Sequence, residues 1–172
     1  MQEPTLHGWR LVDSHHMRMS GYSARVRSLA WTADGKWLAT SWTEAARELR
    51  LWPLPGSGIS EVKTLSLPES FLVTALVFYP KASYVFVVGD RDQGWIVPID
   101  GSTPRQLQGF SEDAMLMAAA VSPSGRLVAT AFWYGQGEKT LRVWNLETGE
   151  LRRFDLPAGE TPASAATGSP TG

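Results

Sequence analysis

Hydrophobic residues in this chain fall in short runs, each closed by a turn-forming cluster, and no run carries the 3.6-residue period of an amphipathic helix. The clearest run is Val26-Arg-Ser-Leu-Ala-Trp31. It meets Ala33-Asp34-Gly35, where glycine tolerates the positive φ that a tight hairpin needs. A second apolar run follows over 37–41, then a polar loop, then the alternating Leu49-Arg50-Leu51-Trp52. Beyond a Gly- and Pro-containing turn comes a more polar segment over 61–67. The pattern predicts four short strands, the inner ones apolar on both faces and the last half exposed. That gradient fits a wedge with one edge at the protein's centre and the other in water.

The same succession returns twice. A second unit starts at Val73-Thr-Ala-Leu-Val-Phe78, continues to Val87 and ends in Trp95-Ile-Val-Pro98, with a polar strand over 103–107. A third runs from Leu116 to Thr130 and on to Leu141-Arg-Val-Trp144, with its polar strand over 150–156. Gly35, Ala82 and Gly125 are equivalent, at spacings of 47 and 43; Trp52, Val97 and Trp144 are equivalent, at 45 and 47. Loop insertions account for the irregularity.

The repeat resembles the WD-repeat β-propeller family, whose unit is about 40–45 residues and contributes four strands. The matching signatures are Ala33-Asp34-Gly35 and Ser122-Pro123-Ser124-Gly125 at the first hairpin, Leu-Ala-Thr and Val-Ala-Thr after it, and Leu-Arg-Leu-Trp and Leu-Arg-Val-Trp-Asn-Leu at the third strand. The resemblance implies an all-β chain in which three four-stranded antiparallel repeats form an incomplete, open arc. The propeller segment covers 17–157, with blades over 23–67, 71–108 and 114–156 and a preceding outer strand at 17–22. Residues 1–16 read as a leader, in which Trp9-Arg-Leu-Val12 is an edge strand or part of a missing blade. Residues 158–172, rich in Pro, Gly, Ala, Ser and Thr, read as a flexible tail.

Departures from the family matter for packing. Its repeats often carry Gly-His before the first strand and Asp before the third, joined with Ser/Thr and Trp in a hydrogen-bonded tetrad. Here the Gly-His positions read Gly21-Tyr22 and Gly109-Phe110, and the Asp position falls near Ala46, Arg91 and Glu138. The expectation is that no complete tetrad survives and that the blades rely on apolar packing.

Three blades do not close a ring, since propellers have about 4 to 8. Three resolutions stand open. The chain is the opening portion of a longer propeller, or two copies close a six-bladed ring as a homodimer, or a partner covers an open arc.

Composition narrows the chemistry. Net charge is −1, from 16 Lys+Arg against 17 Asp+Glu, so no whole-chain attraction to nucleic acid or an anionic membrane is expected. Cysteine is absent, which removes disulfides and thiolate sites. The most apolar stretch, 71–79, is far shorter than the ~20 residues a bilayer span needs, and the N-terminus lacks a signal-peptide pattern. A cytoplasmic location is the default.

Candidate chemistry is sparse. His7, His15 and His16 lie near Asp13, but the adjacent pair His15-His16 points to opposite faces of a strand, so solvent-facing histidines are favoured over a metal site. No Gly-x-Ser-x-Gly elbow occurs. The Gly-x-Gly sequences at Gly56 and Gly135 read as hairpin turns rather than phosphate loops. Asp90 and Asp92 read as a solvated turn. Arg18, Arg25, Arg27, Arg47 and Arg50, with Trp31, Trp37 and Trp42, raise nucleic-acid stacking, but Trp31 and Trp37 take strand positions expected to pack between blades.

The positive signal is loop placement. In the family, the turn before the first strand and the loop between the second and third share one face of the disc. That face would present Tyr22, Trp42, Phe71, Arg91, Phe110, Trp133 and Tyr134, aromatic and Arg types enriched at protein–protein hot spots. The loop over 132–138 is the sharpest candidate, set against the reading that Trp133 or Tyr134 folds back onto a neighbouring blade. The expected function is a non-catalytic interaction module that binds a protein or peptide, without cofactor or metal. The alternatives are a propeller enzyme, or a sensory or regulatory segment attached to a kinase or nucleotide-switch domain.

Overall fold

The computed structural model describes residues 4–43, 46–80, 83–90, 93–107, 115–134 and 140–155. Each of the three repeats forms a four-stranded antiparallel sheet, and a two-stranded hairpin precedes them. The hairpin pairs β1 (Leu6–Arg10) with β2 (His15–Met19). Blade 1 holds β3 (Val26–Trp31), β4 (Trp37–Trp42), β5 (Ala46–Pro53) and β6 (Lys63–Phe71), in that order. Blade 2 holds β7 (Val73–Phe78), β8 (Tyr84–Gly89), β9 (Gly94–Pro98) and β10 (Arg105–Gln106). Blade 3 holds β11 (Met115–Val121), β12 (Leu127–Tyr134), β13 (Thr140–Asn145) and β14 (Leu151–Asp155). No helix occurs among the described residues.

Turn chemistry explains why the first hairpins form where they do. Gly35 takes φ +67° and Gly125 φ +73°. In blade 1 the Thr32 hydroxyl accepts the Trp37 amide at 3.0 Å, and Asp34 accepts that of Lys36 at 3.1 Å. In blade 3 the Ser122 hydroxyl accepts the Leu127 amide at 3.0 Å, and Ser124 accepts that of Arg126 at 3.3 Å. Two different tetrapeptides thus tie the same turn in the same way, through a side-chain oxygen that competes for local amides.

Strand alternation then sorts each blade into two faces. Between blades 1 and 2, Trp37, Ala39, Leu49, Leu51, Leu65 and Leu67 meet Leu76, Phe78, Val85, Val87, Trp95 and Val97. Between blades 2 and 3, Phe86, Val88 and Ile96 meet Val128 and Trp144. Polar bonds stitch the innermost strands: the Leu76 amide donates to Ser28 Oγ at 3.1 Å, and the Thr74 hydroxyl reaches the Leu116 carbonyl.

The structure departs from the sequence reading at several places, one being β6, which runs Lys63–Phe71 rather than over 61–67. The outer strand of blade 2 spans only Arg105–Gln106 rather than 103–107. The strand before blade 1 is His15–Met19 rather than 17–22, because residues 20–25 turn inward to carry Tyr22. Trp9 and Arg10 lie in β1, whereas Leu11 and Val12 sit in its exposed turn. Trp37 is buried between blades 1 and 2, but Trp31 is 52% exposed. Trp31 lies opposite Leu38, on the face of β3 turned away from blade 2, where the β1–β2 hairpin packs on Leu38, Trp42, Trp52 and Leu54 and leaves Trp31 half exposed.

Candidate interaction surface

Behind blade 1 the hairpin packs through Leu6, Met17 and Met19 against Leu38, Trp42, Trp52 and Leu54, with Tyr22 among them. Gly21, at φ +86°, turns the chain so that Tyr22 enters this space. A Cβ at Gly21 would lie 3.2 Å from Arg50 Nη1, so the glycine also lets the guanidinium approach. Arg50 donates to the Gly21 carbonyl and rests 5.3 Å from the centroids of both the Tyr22 and Trp42 rings.

The polar centre of this cluster is Thr40. Its Oγ1 lies 3.1 Å from the Tyr22 hydroxyl and accepts the Trp52 indole N–H at 3.2 Å. Burial pushes the Tyr22 phenol up from its ordinary value, opposed by Thr40, Trp52 and the Arg50 charge. This corrects the expectation that the blades rely on apolar packing alone. In blade 1 a phenol stands at the Gly-His position and completes a Tyr–Thr–Trp chain, because its hydroxyl reaches the threonine.

The other blades treat the equivalent positions differently. Strand register places Val87 and Val97 in blade 2 where Thr40 and Trp52 stand in blade 1, and both valines are buried. Blade 3 keeps Thr130, Arg142 and Trp144 at these positions, all three buried. Thr130 Oγ1 has no hydrogen-bond partner among the described residues. The position aligned with Tyr22 is Phe110, which has no hydroxyl and lies outside the described residues.

Of the residues expected on the loop face, the three whose side chains are described do not form an open surface. Tyr22, Trp42 and Phe71 are buried, as ring packing in the first blade draws them inward. Arg91 and Phe110 lie outside the described residues. Trp133 and Tyr134 fall in β12 rather than in a loop, with Tyr134 paired to Met115, and their side chains are outside the description.

Besides Trp9, Leu11 and Val12 of the hairpin and the separate Val62 and Tyr84, the exposed large apolar side chains lie on two blade faces, at either end of the described repeats. At one end are Leu29 and Trp31, 46% and 52% exposed; at the other are Leu127 and Phe154, 41% and 51% exposed. Alternation puts Leu127 and Phe154 on the side of blade 3 opposite Val128 and Trp144, hence away from blade 2. Sequence reasoning missed these four because such positions are core in any blade that has a neighbour. Among the described residues no three His, Asp or Glu side chains come together in a metal-binding group, and no helix is long and apolar enough to cross a membrane.

Comparison with known proteins agrees with this geometry. The family model described as "WD domain, G-beta repeat" matches residues 14–52, from the hairpin's second strand to Trp52. The WD repeat-containing protein slp1 of Schizosaccharomyces pombe is 22% identical over 153 residues, covering 86% of this chain and 30% of that protein. Among solved structures, the β-propeller domain of Cps50 (Swd1) from Myceliophteria thermophila superposes with a TM-score of 0.71 at 16% identity, covering 88% of this chain and 49% of that one. The chain thus spans under a third of the curated relative and about half of the solved propeller. The fold is that of β-propeller blades. Residues 14–52 match the WD-repeat family model, and the chain is similar to WD-repeat propellers, a class whose members generally mediate protein–protein interaction.

Proposed function

We propose that this chain is a non-catalytic interaction module that holds a protein or peptide partner, and that the blade faces at either end of the described repeats pack against further protein. The observation that carries the reading is the placement of Leu29 and Trp31 at one end and Leu127 and Phe154 at the other. A large exposed apolar side chain on a sheet face is ordinary when single; several on the faces where blades stack mark a surface that protein covers. The inward turn of Tyr22, Trp42 and Phe71 supports the same choice, because those rings are already occupied within the fold. A partner that presents a complementary apolar sheet face suits this surface better than nucleic acid or lipid, since the net charge of −1 offers neither an electrostatic attraction. The cytoplasm is the proposed location.

The test is site-directed photocrosslinking from three positions in turn: Trp31, Phe154 and, as a control, the exposed Glu147. The reading expects discrete polypeptide adducts from Trp31 or Phe154 and none from Glu147. Equal labelling at all three, or none at either end face, would refute it.

A further inference from the structure

We propose that His7 and His16 form a two-imidazole site for a late first-row divalent metal ion, of the copper(II) or zinc(II) class. Cross-strand register pairs His7 with Arg18 and Trp9 with His16, so these four residues share the face of the hairpin turned away from blade 1. The two imidazoles converge there: His7 Nδ1 and His16 Nε2 are 2.8 Å apart. Their ring planes differ by 10° with centroids 5.0 Å apart, close to the nitrogen gap plus two ring radii. The rings therefore meet edge to edge with the facing nitrogens aimed at each other as donor and acceptor; to hold one ion, each ring swings so that both nitrogens aim at a point beside the gap. Trp9 flanks the pair, its ring 5.1 Å from His16 and 5.9 Å from His7 at shallow angles. The adjacent pair His15-His16 hides this arrangement in the sequence, because the partner of His16 lies across the turn, nine positions away.

In the metal-free pair one ring donates N–H to the other. Metal–imidazole bonds of about 2.0–2.1 Å at neighbouring coordination positions need nitrogens about 2.9–3.4 Å apart. The observed gap falls short of that by tenths of an ångström, and both side chains are exposed and able to adjust. On binding, the donating ring carries its proton on its far nitrogen, so both facing nitrogens become ligands. No third His, Asp or Glu joins the pair among the described residues, so water fills the remaining positions. Arg18 on the same face opposes the cation, while Asp13 is engaged by Arg10 at the turn. The site is accordingly weaker than three- and four-ligand centres, and copper(II) binds ahead of zinc(II). Occupancy would cross-link β1 to β2 and stiffen the hairpin that seats Met17 and Met19 against blade 1.

The experiment titrates the full chain with copper(II) sulfate, then zinc(II) chloride, by calorimetry, with tryptophan fluorescence reporting on Trp9. One ion per chain is expected. Affinity should fall about tenfold or more in both His7→Gln and His16→Gln and stay unchanged in His15→Gln, whose ring lies on the opposite face. Affinity unaffected by either substitution, or lost equally in His15→Gln, means an adventitious ion only and overturns the site. Should a variant misfold, electron paramagnetic resonance of the copper-loaded wild-type chain decides: two nitrogen ligands support the site, and none or one refutes it.

Discussion

Tyr22 meets Thr40 across eighteen residues of chain, its hydroxyl 3.1 Å from Thr40 Oγ1, and Trp52 donates to the same oxygen at 3.2 Å. One threonine thereby ties the segment before blade 1 to the blade's second and third strands. Blade 3 has the threonine and the tryptophan, but Thr130 Oγ1 stands without a partner among the described residues.

That contrast gives opposite outcomes for one substitution. Thr40→Val removes the oxygen shared by the Tyr22 hydroxyl and the Trp52 N–H, at a cost of about 1–3 kcal/mol. Thr130→Val removes a hydroxyl with no bond to lose among the described residues, and its effect is neutral or stabilising. Urea unfolding midpoints of the two variants check the pair. Equal losses at both sites would mean that the Tyr–Thr–Trp chain contributes nothing.

Two glycines separate backbone strain from crowding. A Cβ at Gly35 meets nothing within 4 Å, so Gly35→Ala carries only the strain of φ +67°, about 1 kcal/mol. A Cβ at Gly89 would lie 2.2 Å from Phe71 Cδ2 and 2.8 Å from the Leu72 carbonyl oxygen. Backbone cannot yield there as a flexible side chain can, so Gly89→Ala costs more, about 1–3 kcal/mol or above. Thermal melts order the two variants.

Burial pushes the Tyr79 phenol up to about 12, opposed by the Arg105 charge, and its hydroxyl has no partner among the described residues. A pKa raised in the folded state contributes stability that is complete below the unfolded value near 10 and is lost as pH rises toward 12. Tyr79→Phe should therefore hold or raise stability at neutral pH and flatten the decline between pH 10 and 12. Unfolding curves across that range measure both effects, and an unchanged alkaline slope would dissociate Tyr79 from it.

The repeats, their antiparallel strands and the glycine turns were legible in the sequence, because they rest on local alternation and on residues such as Gly35 and Gly125 that only a turn requires. Part of the hairpin was legible too and went unread: Thr5-Leu-His-Gly-Trp9 parallels Thr140-Leu-Arg-Val-Trp144, which marks β1 as a third-strand sequence. The tertiary roles were hidden. Tyr22 looked like a lost histidine and an exposed aromatic, since a pattern of letters does not register that a phenol can serve the same threonine. Trp31 and Trp37 looked alike as strand residues, yet only Trp37 has a neighbouring blade on its side of the sheet.

The central claim is that the end faces pack against protein, and the expectation is that, with no other protein present, they bind another copy of the chain. Light scattering over a concentration series tests this on the wild-type chain and on the Trp31→Glu/Phe154→Glu double variant. The expected result is a wild-type mass that rises above 18.9 kDa with concentration and a double variant that stays at 18.9 kDa. A wild-type chain that remains at 18.9 kDa throughout would contradict the account.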